Sequence, residues 1–584
     1  MAGPRIPAPR IGSPSVRHRL LVVFILLALL ALSGRLVWVQ GLNSRALAAE
    51  AKENRTVERE IPALRGQILD RNGSVLADSV ERYDLWVNQL QVSDYNKTSD
   101  VPKAKKGIRG AARKLAPVLG WTPEKTAKAL TGDRGFSYLK KSVDPAVRDA
   151  AISLRIPGIG ADRVSERSYP AGKVAGNVIG FVGADGTAWA GTELAYDKKL
   201  RGKDGKTVYE RGASGQALPT GRQDVTPAVD GQSVELTVDQ DLQWRTQQIL
   251  AETVDKWGAT GGSAVVLDPH TGEVYALADY PTYDPNQPGK TKAEYRGNQS
   301  ISNVFAPGST GKLFTMASAI EEGKVTPSSQ YTVPYDMEFK GNRIKDSHPH
   351  PTQRLTLAGV LKHSSNVGTV QIANTLTPET RYEYLQKFGI GEKSGLELPG
   401  ESGGILHPAD QWTGRTEFTT AFGQGYSVTA LQITSAISTF ANDGVRVQPT
   451  LVRGTVDEDG TVNSEGEPEK TRVISARTAA TMRNLMDNDI PDDGSNNADV
   501  DGYAIGGKTG TAEVGDGTYT ASFIGMAPVD DPGLVVGVFV YGLNTFISGN
   551  TAAAPAFSEI MQYALQNQRI APTGEPGREL DDEW

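Results

Sequence analysis

The pattern of apolar and polar positions divides the chain into stretches of different character. Leu20 to Val39 is nearly continuous in apolar residues, broken only by Ser33, Gly34 and Arg35. That is about the 20 residues a helix needs to cross a bilayer. A polar, helix-favouring stalk, Ala46 to Glu60, is expected next. Leu64 to Asp78 alternates around an Asp-Arg-Asn-Gly turn and predicts a hairpin. Gly107–Gly120 and Thr122–Gly132 predict short helices, and Arg167–Gly186 and Gly191–Glu210 predict strands and turns around one charged helix. From Val234 the pattern changes. A long amphipathic helix is predicted up to Gly258, then a hairpin over Gly261–Pro281 turning at Asp-Pro-His-Thr-Gly. A mostly helical middle follows to about Thr450. Strands are predicted over Gly506–Val514, Tyr519–Asp530 and Gly533–Gly542, and a closing helix over Ala553–Gln568. A hairpin early, strands late and helices between them predict one antiparallel sheet built from both ends of the domain, an α+β fold.

Five segments follow from this pattern: 1–19, a basic segment; 20–40, a membrane anchor; 41–233, a stalk and a turn-rich non-catalytic module; 234–570, the larger α+β domain; and 571–584, an acidic, Pro-containing tail expected to be disordered. Arg5, Arg10, Arg17 and Arg19 precede the apolar run without an acidic residue, which predicts a cytoplasmic N-terminus and the bulk of the chain outside. Arg35 can snorkel to the interface, with Trp38 as a belt residue. A cleaved signal peptide is the competing reading. Its small-residue candidate, Ala46–Ala48, lies too far beyond the apolar run, so an uncleaved anchor is favoured.

Composition narrows the chemistry. The 584 residues carry a net charge of −7 and no cysteine. The charge, with no basic stripe interleaved with aromatics, argues against nucleic acid. The missing cysteines exclude disulfides, thiol catalysis and Cys-ligated zinc. No cofactor is implied.

Candidate chemistry begins at Phe305–Thr315, "FAPGSTGKLFT", where Ser309 and Lys312 stand three residues apart at a predicted helix start. A partly desolvated lysine there could accept the serine proton. The bland alternative is a helix cap followed by a solvated lysine. Ser137–Lys140 repeats the S-x-x-K spacing and is expected to be a strand edge. Further along, Ser364 and Asn366 form an S-x-N, and Lys508, Thr509, Gly510 and Thr511 a K-T-G-T on a predicted strand. Ser495–Asn497 and Ser548–Asn550 also fit S-x-N, but only Ser364 lies between the other two motifs with apolar flanks. Lysine can activate the serine without a histidine triad, and Ser364 can pass a proton to a leaving amine. Asn366 can read a peptide bond, Lys508 can draw a carboxylate, and glycines let a peptide lie on the sheet edge. Backbone N–H groups of Ser309 and Thr511 are the natural oxyanion donors. Asp346, His348 and His350 have a spacing that could hold a metal, yet nothing nearby completes a site, and a loop is the better reading. Arg65 and Asp70 are read as a structural salt bridge, with a partner surface as the alternative.

The order S-x-x-K, S-x-N, K-T-G is recognised, rather than derived, as the motif set of penicillin-binding proteins and class A β-lactamases. The chain resembles a class B penicillin-binding protein over nearly its whole length. "RGQILDRNG", with Arg65, Gly66 and Asp70, and "AGTELAYDKKLRG", with Gly191 and Glu193, resemble motifs of the family's non-catalytic pedestal, or dimerisation-type, domain. Val265–Asn286 and Ala421–Gly444 resemble its segments around the active site, and "LKHSSNVG" looks closest to the septal, FtsI-type branch. The resemblance implies a penicillin-binding/β-lactamase-like transpeptidase domain, with an antiparallel sheet, flanking helices and a helical subdomain. It also implies a D,D-transpeptidase that cross-links peptidoglycan stem peptides through a Ser309 acyl-enzyme and is trapped by β-lactams. Lys312 would be the base, Ser364 the relay, and Lys508, Thr509 and Thr511 would bind the substrate carboxylate. Implied partners are a membrane glycan polymerase of the SEDS family and other division proteins. An elongation role, or a β-lactam-binding scaffold that activates a polymerase, is the alternative. A β-lactamase or carboxypeptidase fits less well, because no suitable E-x-x-L-N follows Ser364. A sensor-transducer would need a larger cytoplasmic part than about 19 residues.

Overall fold

A computed structural model of the chain describes residues 14–42, 56–96, 107–210, 223–457, 459–464, 466–489, 497–572 and 580–584. Two compact units result, one formed by residues up to Ala63 with Lys203–Val229, the other by Leu64–Gly202 with Asp230–Trp584.

The first unit contains the helix Pro14–Val37, whose apolar residues are all exposed. An 18-residue window within Pro14–Gln40 has a mean hydropathy of 2.7, and the helix is long and apolar enough to cross a membrane. The unit also holds a three-stranded sheet in which Gly205–Glu210 lies between Thr56–Ile61 and Gln223–Thr226. Thr56–Glu60, expected as the end of a helical stalk, is therefore a strand. Its alternating Thr-Val-Glu-Arg-Glu-Ile suits a strand paired from Thr56↔Glu210 to Ile61↔Gly205. The stalk between 43 and 55 lies outside the described residues.

In the second unit the expected hairpin forms, Ile68–Leu69 pairing with Val75–Val87, and so do the helices Gly107–Leu119 and Pro123–Leu130. Between Gly176 and Leu200 there are three short helices where one charged helix was expected. The strand Ser233–Leu236 pairs in parallel with Ile68–Leu69 and antiparallel with Val452–Val456. The boundary placed after residue 233 thus falls inside one sheet, and the pedestal motif shares hydrogen bonds with the larger domain.

That domain is organised by a five-stranded antiparallel sheet in the order Val274–Tyr280, Gly261–Leu267, Leu534–Leu543, Tyr519–Ala527, Gly506–Glu513. Gly261–Leu267 and Leu534–Leu543 are apolar nearly throughout because both faces are covered. The helices Gln240–Trp257 and Ala554–Asn567 pack on one face with Phe523 and Phe557 in a shared core. Helices Lys312–Glu321 and Ala430–Ala441 contribute to the large core that includes Phe539. Gly506–Glu513 is an edge strand, and the chemistry gathers along it.

The tail departs from expectation. Residues 573–579 lie outside the described residues, but Leu580–Trp584 is seated against Gln353–Thr356 and the helix Leu357–Lys362 through backbone and side-chain hydrogen bonds. Polar composition suggests a solvated tail; here the polar groups have protein partners.

Candidate active site

Pro307 and Gly308 end the preceding extended segment, and Gly308–Gly311 forms a 3₁₀ turn that runs into the helix Lys312–Glu321. Ser309 lies half-buried in this turn, and Lys312 opens the helix fully buried. The turn sits against the edge strand because glycines allow it. Gly308 has φ +59°, and a Cβ there would lie 2.7 Å from the Thr511 carbonyl oxygen. A Cβ on Gly510 would lie 2.8 Å from the Pro307 carbonyl oxygen. Both approaches are closer than any side chain tolerates, so S-x-x-K and K-T-G meet through bare backbone.

Lys508 pairs in register with Ile524 and is buried, while Thr509 and Thr511 share the half-buried face of the strand. Thr511 Oγ1 accepts a hydrogen bond from the Gly549 N–H at 3.2 Å.

Ser364 follows the helix Leu357–Lys362 in a left-handed turn, φ +52°. A serine in that conformation carries local strain. The turn brings its groups to Lys312, whose Nζ donates to the Ser364 carbonyl oxygen and, at 3.2 Å, to Ser364 Oγ. Asn366 begins the next helix and donates to the Lys345 carbonyl oxygen at 3.1 Å.

Electrostatics centre on Lys312. Burial, reinforced by the charge of Lys508, brings its pKa down to about 7, against the opposing pull of Asp346 and Asp489. Lys508 Nζ lies 3.0 Å from Asp489 Oδ2 with both side chains buried. Burial pushes the Asp489 carboxyl up to about 6, and Lys508 holds it down from going further.

Two carboxylates here are not assigned to this site by the sequence pattern, in which Asp346 stands out only for its spacing to His348 and His350. Asp346 accepts from Ser365 Oγ at 2.7 Å and from the Val367 N–H at 2.9 Å, which fixes the turn that presents Ser364. His350 Nε2 is 3.0 Å from the same carboxylate, and His348 packs instead against Phe546. The Asp346–His350 pair thus belongs to the scaffold of the S-x-N turn. Asp489, at the end of the helix Ala476–Asn488, is the second. Only its position beside Lys508 distinguishes it from other acidic loop residues.

The remaining predicted residues lie apart from this cluster. Arg65 pairs with Glu193 and Asp197, both at 2.6 Å, and not with Asp70. Glu193 is fully buried and also receives Arg167 at 2.6 Å. Asp70 closes its own hairpin turn, accepting from the Asn72 and Ser74 N–H groups at 2.9 and 2.7 Å, and takes the Gln240 N–H on its other oxygen at 3.1 Å. A Cβ on Gly66 would meet the Gln232 carbonyl oxygen at 2.0 Å, and Gly191 holds φ +58° against the Gly180 backbone. The Ser137–Lys140 repeat is a strand, with Lys140 Nζ donating to the Leu119 carbonyl oxygen at 2.9 Å. Ser548 caps the short helix Gly549–Ala552, and Ser495 lies outside the described residues.

A serine turn, a buried lysine near neutrality, a second serine on that lysine and a lysine-bearing edge strand are the parts that acyl transfer of the serine–lysine class requires. Two family models match the chain, the penicillin-binding protein transpeptidase domain over residues 262–562 and the penicillin-binding protein dimerisation domain over residues 60–236. Penicillin-binding protein PbpB of Mycolicibacterium smegmatis is 37% identical over 97% of this chain and 92% of its own length. Peptidoglycan D,D-transpeptidase FtsI of Escherichia coli is 31% identical over 96% of this chain and 93% of its own. Among solved structures, a peptidoglycan synthetase from Bifidobacterium adolescentis aligns with a TM-score of 0.74 at 34% identity, covering 91% of this chain and 100% of that one. Penicillin-binding protein 3 of Mycobacterium tuberculosis, complexed with ampicillin, aligns with a TM-score of 0.69 at 30% identity, covering 90% of this chain and 100% of that one. The chain belongs to the penicillin-binding protein transpeptidase family, with the pedestal and transpeptidase modules of class B.

Proposed function

We propose that this chain is a single-pass, membrane-anchored peptidoglycan D,D-transpeptidase of the septal type, with Ser309 as its nucleophile. The observation that carries the residue roles is the buried Lys312, near neutrality and bonded to Ser364, one 3₁₀ turn from Ser309. Ser309 Oγ attacks the carbonyl of the penultimate D-Ala of a stem peptide, its proton passing to Lys312 Nζ. Collapse breaks the D-Ala–D-Ala amide, and the proton reaches the leaving amine through Ser364 Oγ. A second stem peptide's amine then attacks the ester, forming the cross-link and releasing Ser309. Lys508, Thr509 and Thr511 receive the donor carboxylate, Asn366 reads a backbone amide, and Gly510 leaves room for the donor along the edge strand. The N–H groups of Ser309 and Thr511 hold the oxyanion. β-Lactams enter the same path and stop at the ester.

The basic segment before the anchor supports a cytoplasmic N-terminus. Likeness to proteins named PbpB and FtsI supports the septal reading, and that reading implies a SEDS-family glycan polymerase as the membrane partner. We read residues 41–233 as stalk and pedestal and 234–570 as the transpeptidase domain. The roles are tested by following fluorescent-penicillin labelling over time in the wild type and Ser309→Ala. A stable covalent band lost in Ser309→Ala is expected. A band that survives Ser309→Ala refutes the nucleophile, and one that decays within about a minute points to a hydrolase.

A further inference from the structure

Asp582 occupies a position that its acidic, exposed-looking sequence does not suggest. Its carbonyl oxygen accepts the Thr356 N–H at 2.9 Å, at the start of the helix Leu357–Lys362. Its carboxylate takes Lys362 Nζ at 2.5 Å, at the end of the same helix. The other carboxylate oxygen accepts from Asn488 Nδ2 at 2.9 Å, and the Leu580 N–H donates back to Asn488 Oδ1 at 3.1 Å. One residue therefore holds both ends of one helix and the last residue of another.

The neighbours of Asp582 hold it in place. Thr356 Oγ1 donates to the Asp581 carbonyl oxygen at 2.5 Å, and Glu583 bridges antiparallel to Leu355. The Arg354 guanidinium lies 5.2 Å from the centroid of the Trp584 ring. Gly359 has no Cβ to obstruct the approach, since one there would lie 2.0 Å from the Asp582 carbonyl oxygen. The segment adds a single antiparallel bridge beside the Gln330–Val333/Gln353–Thr356 pair, closed by an aromatic–cation contact.

What the two gripped elements carry gives the strap its meaning. Lys362 is followed two residues later by Ser364, whose N–H still bonds to the Leu361 carbonyl oxygen at 2.9 Å. Asn488 is followed directly by Asp489, the partner of Lys508. The S-x-N serine and the K-T-G lysine come from parts of the chain far apart in sequence, and Asp582 ties their supports together from behind.

We propose that Asp582, presented by the Leu580–Trp584 strap, is a positioning residue for acyl transfer: it holds the Ser364 turn and the Asp489–Lys508 pair in register around Lys312. This rests on the proposed role of Ser309 and its neighbours. A loosened strap lets the Ser364 turn drift from Lys312 and admits water to a lysine that is now fully buried. Both effects act on the reacting groups rather than on the fold as a whole.

The test uses the full chain in detergent, with Asp582→Asn and Asp582→Glu compared with the wild type. The second-order rate of fluorescent-penicillin acylation is measured from pH 5.5 to 9, alongside thermal unfolding. Asp582→Asn keeps the main-chain bonds and loses the Lys362 ion pair. Acylation is expected to slow roughly ten-fold or more, as for a small misplacement of reacting groups. The acid limb of its pH profile is expected to move up, because a less desolvated Lys312 among Lys508, Asp346 and Asp489 is easier to protonate. Asp582→Glu should recover part of the rate. A wild-type rate in Asp582→Asn overturns the proposal, and so does a slower rate with an unmoved limb, which marks a merely structural contact. If Asp582→Asn does not fold, Trp584→Ala loosens the strap and leaves Asp582 intact, and it is read by the same outcomes. Ser309→Ala runs in parallel: labelling that survives there sinks the nucleophile assignment, whereas labelling lost there with Asp582→Asn at the wild-type rate sinks the strap alone.

Discussion

The acylation rate should depend on pH through Lys312, and the structure fixes both the size and the direction of the effect. A lysine with its ordinary pKa of 10.5 is neutral at pH 7 in only about one molecule in three thousand. Burial that brings it to about 7 makes roughly half the molecules competent, a gain of about a thousand-fold in active fraction and about 5 kcal/mol of differential interaction. The rate constant for acylation by a penicillin should therefore climb with pH and bend near 7. Asp489 opposes the shift, and Asp489→Asn removes its negative charge from the cluster. Lys312 then loses its proton more easily, and the bend moves to lower pH. Stopped-flow or quenched labelling from pH 5.5 to 9, on both proteins, reads this directly. A wild-type rate that still climbs about ten-fold per pH unit at pH 9, with no bend near 7, would refute a neutral Lys312 as the base. Movement to higher pH in Asp489→Asn would refute the electrostatic reading of the cluster.

The same burial has a thermodynamic signature. The folded Lys312 binds its proton more weakly than the unfolded chain does, so stability rises with pH between about 7 and 10.5 and lacks this contribution below 7. Lys312→Met should melt at higher temperature than the wild type at pH 7 while losing acylation, and a lower Tm would refute the sign. Glu193→Gln leaves Arg65 and Arg167 buried without their shared charge. It should cost about 3–5 kcal/mol in denaturant unfolding, and a change under about 1 kcal/mol would show that the network contributes little. Gly308→Ala places a Cβ 2.7 Å from the Thr511 carbonyl oxygen at φ +59°, so acylation should fall at least ten-fold. Full activity in Gly308→Ala would mean that the serine turn need not touch the edge strand.

The sheet was legible wherever both faces are covered, because Gly261–Leu267 and Leu534–Leu543 are apolar at nearly every position. Ser309, Lys312, Ser364 and Lys508 were legible as a motif set, of which Lys312 Nζ reaches Ser364 Oγ and feels the charge of Lys508. Thr56–Glu60 was misread as helix because its strand character depends on a partner, Gly205–Glu210, distant in sequence. Arg65 was assigned to the nearby Asp70, whereas its partners, Glu193 and Asp197, are far along the chain. Asp346 was legible only as part of a metal-like spacing with His348 and His350, and Asp489 and Asp582 left no trace. Each lies near a loop or terminus, and no periodicity separates a buried, bonded carboxylate from a solvated one. The strap was hidden further by its setting, since composition cannot report that Gly359 and Thr356 await it.

The order of strands in the central sheet also governs when the protein becomes active. Val535 pairs with Leu267, and the Lys508 strand joins only through Tyr519–Ala527, which itself leans on Leu534–Leu543. Ser309 and Lys312 are synthesised long before the strands that complete their site. Until Leu534–Leu543 emerges, the sheet has no strand to join Tyr519–Ala527 and Gly506–Glu513 to the early hairpin, and closing so long a loop is slow. Reactivity toward penicillin is therefore a late event in the life of each molecule. Pulse-labelled chains should acquire it only after the final sheet strands are made, so a partly built enzyme has no competent serine to expose.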